Sequence, residues 1–86
     1  MVESKVEAYL NSPAYIRKPS KAKVVELTRL IQEFSSKLTW LSSEMSKPDF
    51  KTHLTKEVRQ KLTTSRSHIR DTIKFLKHER KVISSQ

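Results

Sequence analysis

Apolar residues recur at helical spacing along most of this 86-residue chain. The most regular row has alternating gaps of three and four residues and comprises Val24, Leu27, Ile31, Phe34, Leu38, Leu41 and Met45. This heptad spacing places every member of the row on one face of a helix. The pattern therefore predicts a helix over residues 20–45 with a single apolar seam, and Ser20 is a suitable N-cap for it.

A second apolar row follows residues 46–49, which have the spacing of a capping box. It predicts a helix over residues 49–83 whose apolar face carries Leu54, Val58, Leu62, Ile69, Ile73, Leu76 and Ile83. The polar residues 63–65 interrupt the row. We favour one continuous helix, and the alternative is a break near Ser65 with a fourth helix after it.

The N-terminal part is shorter and is divided by proline. Residues 2–10 have a helical pattern, in which Ser4 and Glu7 stand at capping-box spacing. Residues 11–19 contain Pro13 and Pro19 and are expected to form a linker with at most one helical turn. The predicted fold is all-α, a single small bundle built from a long antiparallel helix hairpin and a shorter N-terminal helix.

The apolar seam has a second interpretation, since two copies of the chain can use it to form a coiled coil. We favour packing within the chain, because the second apolar helix is tethered and its effective concentration is high. A monomer, or a part of a larger assembly, is therefore expected.

Composition excludes several classes of protein. The chain has no Gly, which argues against hairpin-rich β folds and Gly-rich phosphate loops, and no Cys, which excludes disulfides and Cys-based zinc sites. No apolar stretch approaches the roughly 18 residues of a membrane span, and the N-terminal residues lack the pattern of a secretory signal. We expect a soluble, intracellular protein that does not insert into membranes.

The net charge of +9 is concentrated in residues 47–86, which carry eleven basic and four acidic side chains. Seven of these basic residues fall within roughly 80° of arc on a helical projection. We call them the basic stripe: Lys56, Arg59, Arg66, Arg70, Lys74, Lys77 and Lys81. The stripe is predicted to border the hairpin seam and to face outward. A further cluster, formed by Arg17, Lys18, Lys21 and Lys23, is a candidate extension of it.

An unmixed row of cations indicates a binding surface for a polyanion. We favour the backbone of DNA or RNA, contacted without strong sequence preference, because the chain has no base-reading motif and Phe75 is the one aromatic residue between Lys56 and Lys81. An acidic or phosphorylated protein segment is the alternative partner. The stripe can also be a solvated face that is partly neutralised by Glu26, Glu33 and Glu44 of the preceding helix.

Trp40 and Phe75 lie off the apolar seams and are candidate docking residues for an apolar helix of a partner protein. The simpler interpretation, which we favour for Trp40, is that the N-terminal helix or the segment of Tyr15 and Ile16 covers one of them as ordinary core. The N-terminal helix cannot easily cover both, so one of the two is expected to remain open.

Catalytic and metal-binding patterns are weak. His53, His68 and His78 are the candidate bases, and His68 with Asp71 gives two metal ligands without a third. No positioned nucleophile accompanies them. We expect a non-enzymatic binding module without a cofactor or metal, belonging to a larger nuclear, chromatin or RNA-associated protein.

Overall fold

The computed structural model describes residues 2–85, apart from the side chain of Lys51. Five helices follow one another along the chain: α1 (Ser4–Leu10), α2 (Pro13–Ile16), α3 (Ser20–Met45), α4 (Phe50–His53) and α5 (Lys56–Ser84). No strand occurs within residues 2–85. The prediction of an all-α fold is confirmed.

The two long helices, α3 and α5, form an antiparallel hairpin in a rod of 49 × 19 × 16 Å. At one end Arg80, near the end of α5, donates a hydrogen bond of 3.3 Å to the hydroxyl of Thr28, near the start of α3. At the other end Leu41 of α3 and Leu62 of α5 line the same cavity. The predicted hairpin is therefore confirmed, and the α3 seam is used within the chain.

The core lies between these two helices and continues under the N-terminal segment. Helix α3 buries Leu27, Ile31, Phe34 and Leu41, while α5 buries Thr72, Ile73 and Leu76. Leu27 and Leu76 have no exposed surface. Burying a leucine side chain fully contributes about 1.5–3 kcal/mol, so each of these two positions carries a sizeable share of a small domain's stability.

The short helices α1 and α2 pack against the hairpin through Val6 and Tyr15, which are both buried. The backbone N–H of Glu3 donates to the hydroxyl of Thr72 at 3.0 Å, and that hydroxyl donates to the carbonyl of His68 at 2.8 Å. The buried Thr72 is thus satisfied on both sides, and it fixes the start of α1 on α5.

The start of the last long helix differs from the prediction. Helix α5 begins at Lys56 and not at residue 49, and it is continuous through residues 63–65. Leu54 and Thr55 are extended, and the Thr55 hydroxyl accepts from the N–H of Val58 at 3.2 Å, which makes Thr55 the N-cap. The capping box predicted at residues 46–49 is wrong, because the N–H of Ser46 instead closes the C-terminal end of α3.

The other predicted caps are also displaced. Glu3 and Pro19 occupy the N-cap positions of α1 and α3, and neither Ser4 nor Ser20 forms a capping hydrogen bond. Glu3 starts α1 because its backbone is anchored on Thr72. Pro19 has the extended conformation of an N-cap, and its carbonyl accepts the first helical bond, from Lys23.

Within the described residues, none of the helices combines the length and the apolar character that crossing a lipid bilayer requires.

Candidate nucleic-acid interface

The basic stripe lies on the side of α5 that is turned away from α1 and α2. Thr72 marks the side that contacts the N-terminal segment, because it receives the N–H of Glu3. The stripe is centred roughly 160° around the helix from Thr72. Helix α1 therefore covers the opposite side of α5 and leaves the stripe accessible.

Exposure follows this geometry. Five members of the stripe are exposed: Lys56, Arg70, Lys74, Lys77 and Lys81. Arg59 and Arg66 are half-buried, and Arg66 is the member of the stripe closest to the hairpin seam on a helical projection. The stripe therefore forms an outward edge on which two guanidinium groups are partly covered.

The carboxylates of α3 do not neutralise the stripe. Arg29, on the same helix, pairs with Glu26 and lies 2.6 Å from a carboxylate oxygen of Glu33, and Lys47 lies 2.8 Å from Glu44. Among residues 2–85, no member of the stripe forms an ion pair. The alternative in which these three acids neutralise part of the stripe is wrong. Within α5 itself, Asp71 is close enough to Lys74 for the two charges to interact.

The acids do not reach the stripe because they lie on the flank of α3 that is turned away from it. Glu26 and Thr28 lie on either side of the buried Leu27, and Thr28 is the one that contacts α5, through Arg80. Glu26 lies beside Arg29 and Tyr9, and the hydrogen bond from Arg29 is the main cause that lowers its pKa. Burial, followed by the charge of Glu26, raises the pKa of Tyr9. We call the side of α3 beside α1 the acidic flank because it carries Glu26, Glu33 and Glu44, although Arg29 and Lys47 pair with these acids there, and we call the edge of α5 that carries the stripe the basic flank.

The part of α3 that borders the basic flank carries uncharged polar side chains. On a helical projection they share the flank of Thr28. They are Thr28, Gln32, Ser35, Thr39 and Ser42. The hydroxyl of Thr39 already donates to the carbonyl of Ser35 at 3.0 Å. The other hydroxyl and amide groups can donate to phosphate oxygens, so the row is compatible with a polyanion lying along the stripe.

The N-terminal basic cluster does not extend the stripe as a whole. The Lys23 ammonium lies 5.5 Å from the ring centroid of Tyr15, and the charge of Lys18 contributes to the lowered pKa of Glu26. Both lysines therefore belong to the side of the acidic flank, and the candidate extension is wrong for them.

The two candidate docking residues have different surroundings. Phe75 is half-buried and packs against the core. Trp40 is 64% exposed, so the expectation that α1 covers it is wrong. Helix α1 ends at Leu10, and the N-terminal segment contacts α5 near Thr72. This contact lies away from Trp40 along the length of the hairpin, so α1 does not cover Trp40. Trp40 lines a cavity of about 250 Å³ with Leu41, Phe50, Leu54 and Leu62.

A larger cavity of about 600 Å³ opens at the first turns of α5, where the stripe begins. Its lining comprises Phe50, Lys56, Arg59, Gln60, Thr63 and Thr64. The Nε of Arg59 is buried and has no hydrogen-bond partner among the described residues. Sequence analysis missed Phe50 as a neighbour of the stripe, because the turn of α4 that brings it there was predicted as the start of a continuous helix.

Within the described residues, no three His, Asp or Glu side chains are grouped as a metal site requires. Comparison of the chain with protein-family models, with curated proteins and with solved structures finds no match. The function is therefore inferred from the surface of the molecule.

Proposed function

We propose that this chain is a non-enzymatic helical module that binds the backbone of DNA or RNA through the basic stripe. We place it within a larger nuclear, chromatin-associated or RNA-associated protein. The observation that carries the proposal is the row of seven cationic side chains, none of which forms an ion pair among residues 2–85. The row extends over about 38 Å of α5 at the rise of an α-helix.

The chemistry of the stripe suits phosphates. A strand of nucleic acid offers one negative charge every few ångströms, and each phosphate neutralised by Lys or Arg releases a counterion. Arg59, Arg66 and Arg70 present planar guanidinium groups that grip two phosphate oxygens, whereas the lysines act as mobile point charges. None of these contacts distinguishes bases, so we expect weak sequence preference.

Reversing two charges at the centre of the stripe tests the proposal. The double variant Arg66→Glu/Arg70→Glu should bind a labelled duplex of about 15 base pairs at least tenfold more weakly than the wild type at low salt, whatever the sequence. If all seven cations contact phosphates, log K of the wild type falls against log salt with a slope of about −6, and the double variant should reduce that slope by about 2. Fluorescence anisotropy across a salt series measures both quantities.

The matched control is Lys5→Glu/Lys61→Glu, which changes the net charge by the same amount. Lys61 is exposed on α5 and stands roughly opposite the stripe, and Lys5 is exposed on α1. This control should keep its affinity within about threefold of the wild type, because the lost charges lie outside the contact. Equal weakening of both double variants would show that net charge alone drives binding. A wild type that binds neither DNA nor RNA would reject the proposal.

A second candidate function is protein docking, and the exposure of Trp40 beside an apolar cavity favours it. The partner would be an apolar helix over Trp40, or an acidic or phosphorylated segment along the stripe. The variant Trp40→Ala should leave nucleic-acid affinity unchanged if the stripe is the site. A polyglutamate or phosphorylated peptide that displaces both DNA and RNA at equal concentration would favour docking over the leading proposal.

A further inference from the structure

The cavity at the start of the stripe combines an aromatic ring with cations that have no carboxylate partner. Phe50 forms one wall, and Lys56 and Arg59 of the stripe belong to the same lining. No Asp or Glu is part of that lining. The cavity has a volume of about 600 Å³ and is shallow and open to solvent, so a ligand would lie on its surface and would not be enclosed.

The polar members of the cavity suit the edge of a nucleobase. The side-chain amide of Gln60 offers both donors and an acceptor. The hydroxyl of Thr63 donates to the carbonyl of Arg59 at 3.0 Å and keeps its lone pairs as acceptors, and Thr64 offers a second hydroxyl. These groups can pair with the donors and acceptors of a base without selecting one base strictly.

The cavity beside Trp40 is a useful comparison, because it also contains aromatic residues. Trp40 is the most exposed aromatic side chain, yet in its apolar cavity Lys47 is paired with Glu44 at 2.8 Å, and Nε2 of His53 lies 3.7 Å from a carboxylate oxygen of Asp49. Phe50 lines that cavity as well, so this residue borders both cavities. Of these two cavities, the one on the side of Lys56 combines an aromatic residue with cations that form no ion pair among the described residues.

We propose that the Phe50 cavity receives one unstacked base of a single-stranded nucleic acid, whose phosphates then follow the stripe from Lys56 toward Lys81. The inference rests on the proposed function and specifies its ligand. A base of a duplex is stacked between its neighbours and cannot enter the cavity, whereas a base of a single strand stacks on an aromatic ring at low cost. The protein should therefore prefer single strands over duplexes.

The test compares Phe50→Leu with the wild type on labelled single-stranded DNA, single-stranded RNA and duplex DNA of about 15 nucleotides per strand, a length that spans the stripe. Loss of one stacked base should weaken single-strand binding by roughly 5- to 100-fold, while duplex affinity stays within about twofold. Phe50→Tyr keeps the ring and should bind single strands like the wild type. The matched control is Trp40→Leu, which removes an aromatic residue outside the cavity and should change neither affinity.

A second measurement reads the stacking directly and does not depend on affinity. In Trp40→Phe/Phe50→Trp the only tryptophan stands in the cavity. A base stacked on its indole should quench the fluorescence when a single strand binds, and a bound duplex should not. Circular dichroism confirms that each variant keeps the helical content of the wild type.

The outcomes separate this inference from the proposed function. If Arg66→Glu/Arg70→Glu loses single-strand binding but Phe50→Leu binds as the wild type does, the stripe is supported as the binding surface and the proposed base site is wrong. Bound single strand without quenching of the introduced tryptophan would also overturn the base site. If the wild type binds neither single strands nor duplexes, both the proposed function of the stripe and the proposed base site are wrong.

Discussion

Tyr15 shows how one side chain couples the N-terminal helices to the hairpin. It is 5% exposed, its ring lies 5.7 Å from that of Tyr9, and Lys23 lies over its face. Its hydroxyl is buried and has no hydrogen-bond partner among the described residues. Burial is the main cause that raises the pKa of Tyr15, and the charge of Glu79 adds to it. The folded state therefore holds Tyr15 in its neutral form.

This raised pKa predicts a loss of stability at high pH. The stabilisation is complete below the ordinary tyrosine pKa near 10 and is lost as pH rises above it, because the unfolded chain releases the proton first. Tyr15→Phe should unfold with a weaker dependence on pH above about 10 than the wild type. Near neutral pH it should be equally or more stable, since an unsatisfied buried hydroxyl is removed.

Urea unfolding of both proteins between neutral and strongly alkaline pH measures this difference. Lysines titrate in the same range in both proteins, so the difference between the two curves is the informative quantity. Curves that run parallel throughout would contradict the assigned environment of Tyr15.

At the scale of elements, the accuracy of sequence-based prediction depends on how local the signal is. Helix α3 has an unbroken heptad row and follows Pro19, and its predicted bounds agree with Ser20–Met45. The start of α5 was misplaced because two segments compete for the role of cap. The capping-box spacing at residues 46–49 is the stronger local signal, whereas Thr55 lacks a Glu or Gln three residues later. In the structure the N–H of Ser46 closes the C-terminal end of α3, so residues 46–49 do not cap α5 and Thr55 does. A local sequence pattern does not show this.

The cap at Thr55 leads to a prediction about stability. Thr55→Ala should lower the free energy of unfolding by about 0.5–2 kcal/mol, because the N–H of Val58 loses its hydroxyl acceptor. The control is Thr64→Ala in the interior of α5, where the residue is exposed and alanine is the better helix former. That control should be neutral or slightly stabilising.

Urea denaturation followed by circular dichroism distinguishes the two threonine variants. Equal stability of Thr55→Ala and Thr64→Ala would mean that Thr55 does not cap α5 in solution.

At the scale of the whole molecule, the two flanks of the rod differ in how their charges are arranged. On the acidic flank Glu26 and Glu33 are mixed with basic side chains such as Arg29, whereas the basic flank carries the unmixed stripe. The stripe itself was predictable, because its arc depends only on the periodicity of one helix. The pairing of the acids and the position of Phe50 were not predictable, since they depend on which flank α1 covers and on where α4 turns.

The measurement that tests the central claim most directly is an NMR titration of the whole chain with single-stranded and duplex nucleic acid. Amide and side-chain signals of the basic stripe should shift with both ligands, and signals of Phe50 and Gln60 should shift further with the single strand. Shifts confined to the acidic flank and to α1, or no shifts at low salt, would contradict the claim that the outward edge of α5 binds phosphates.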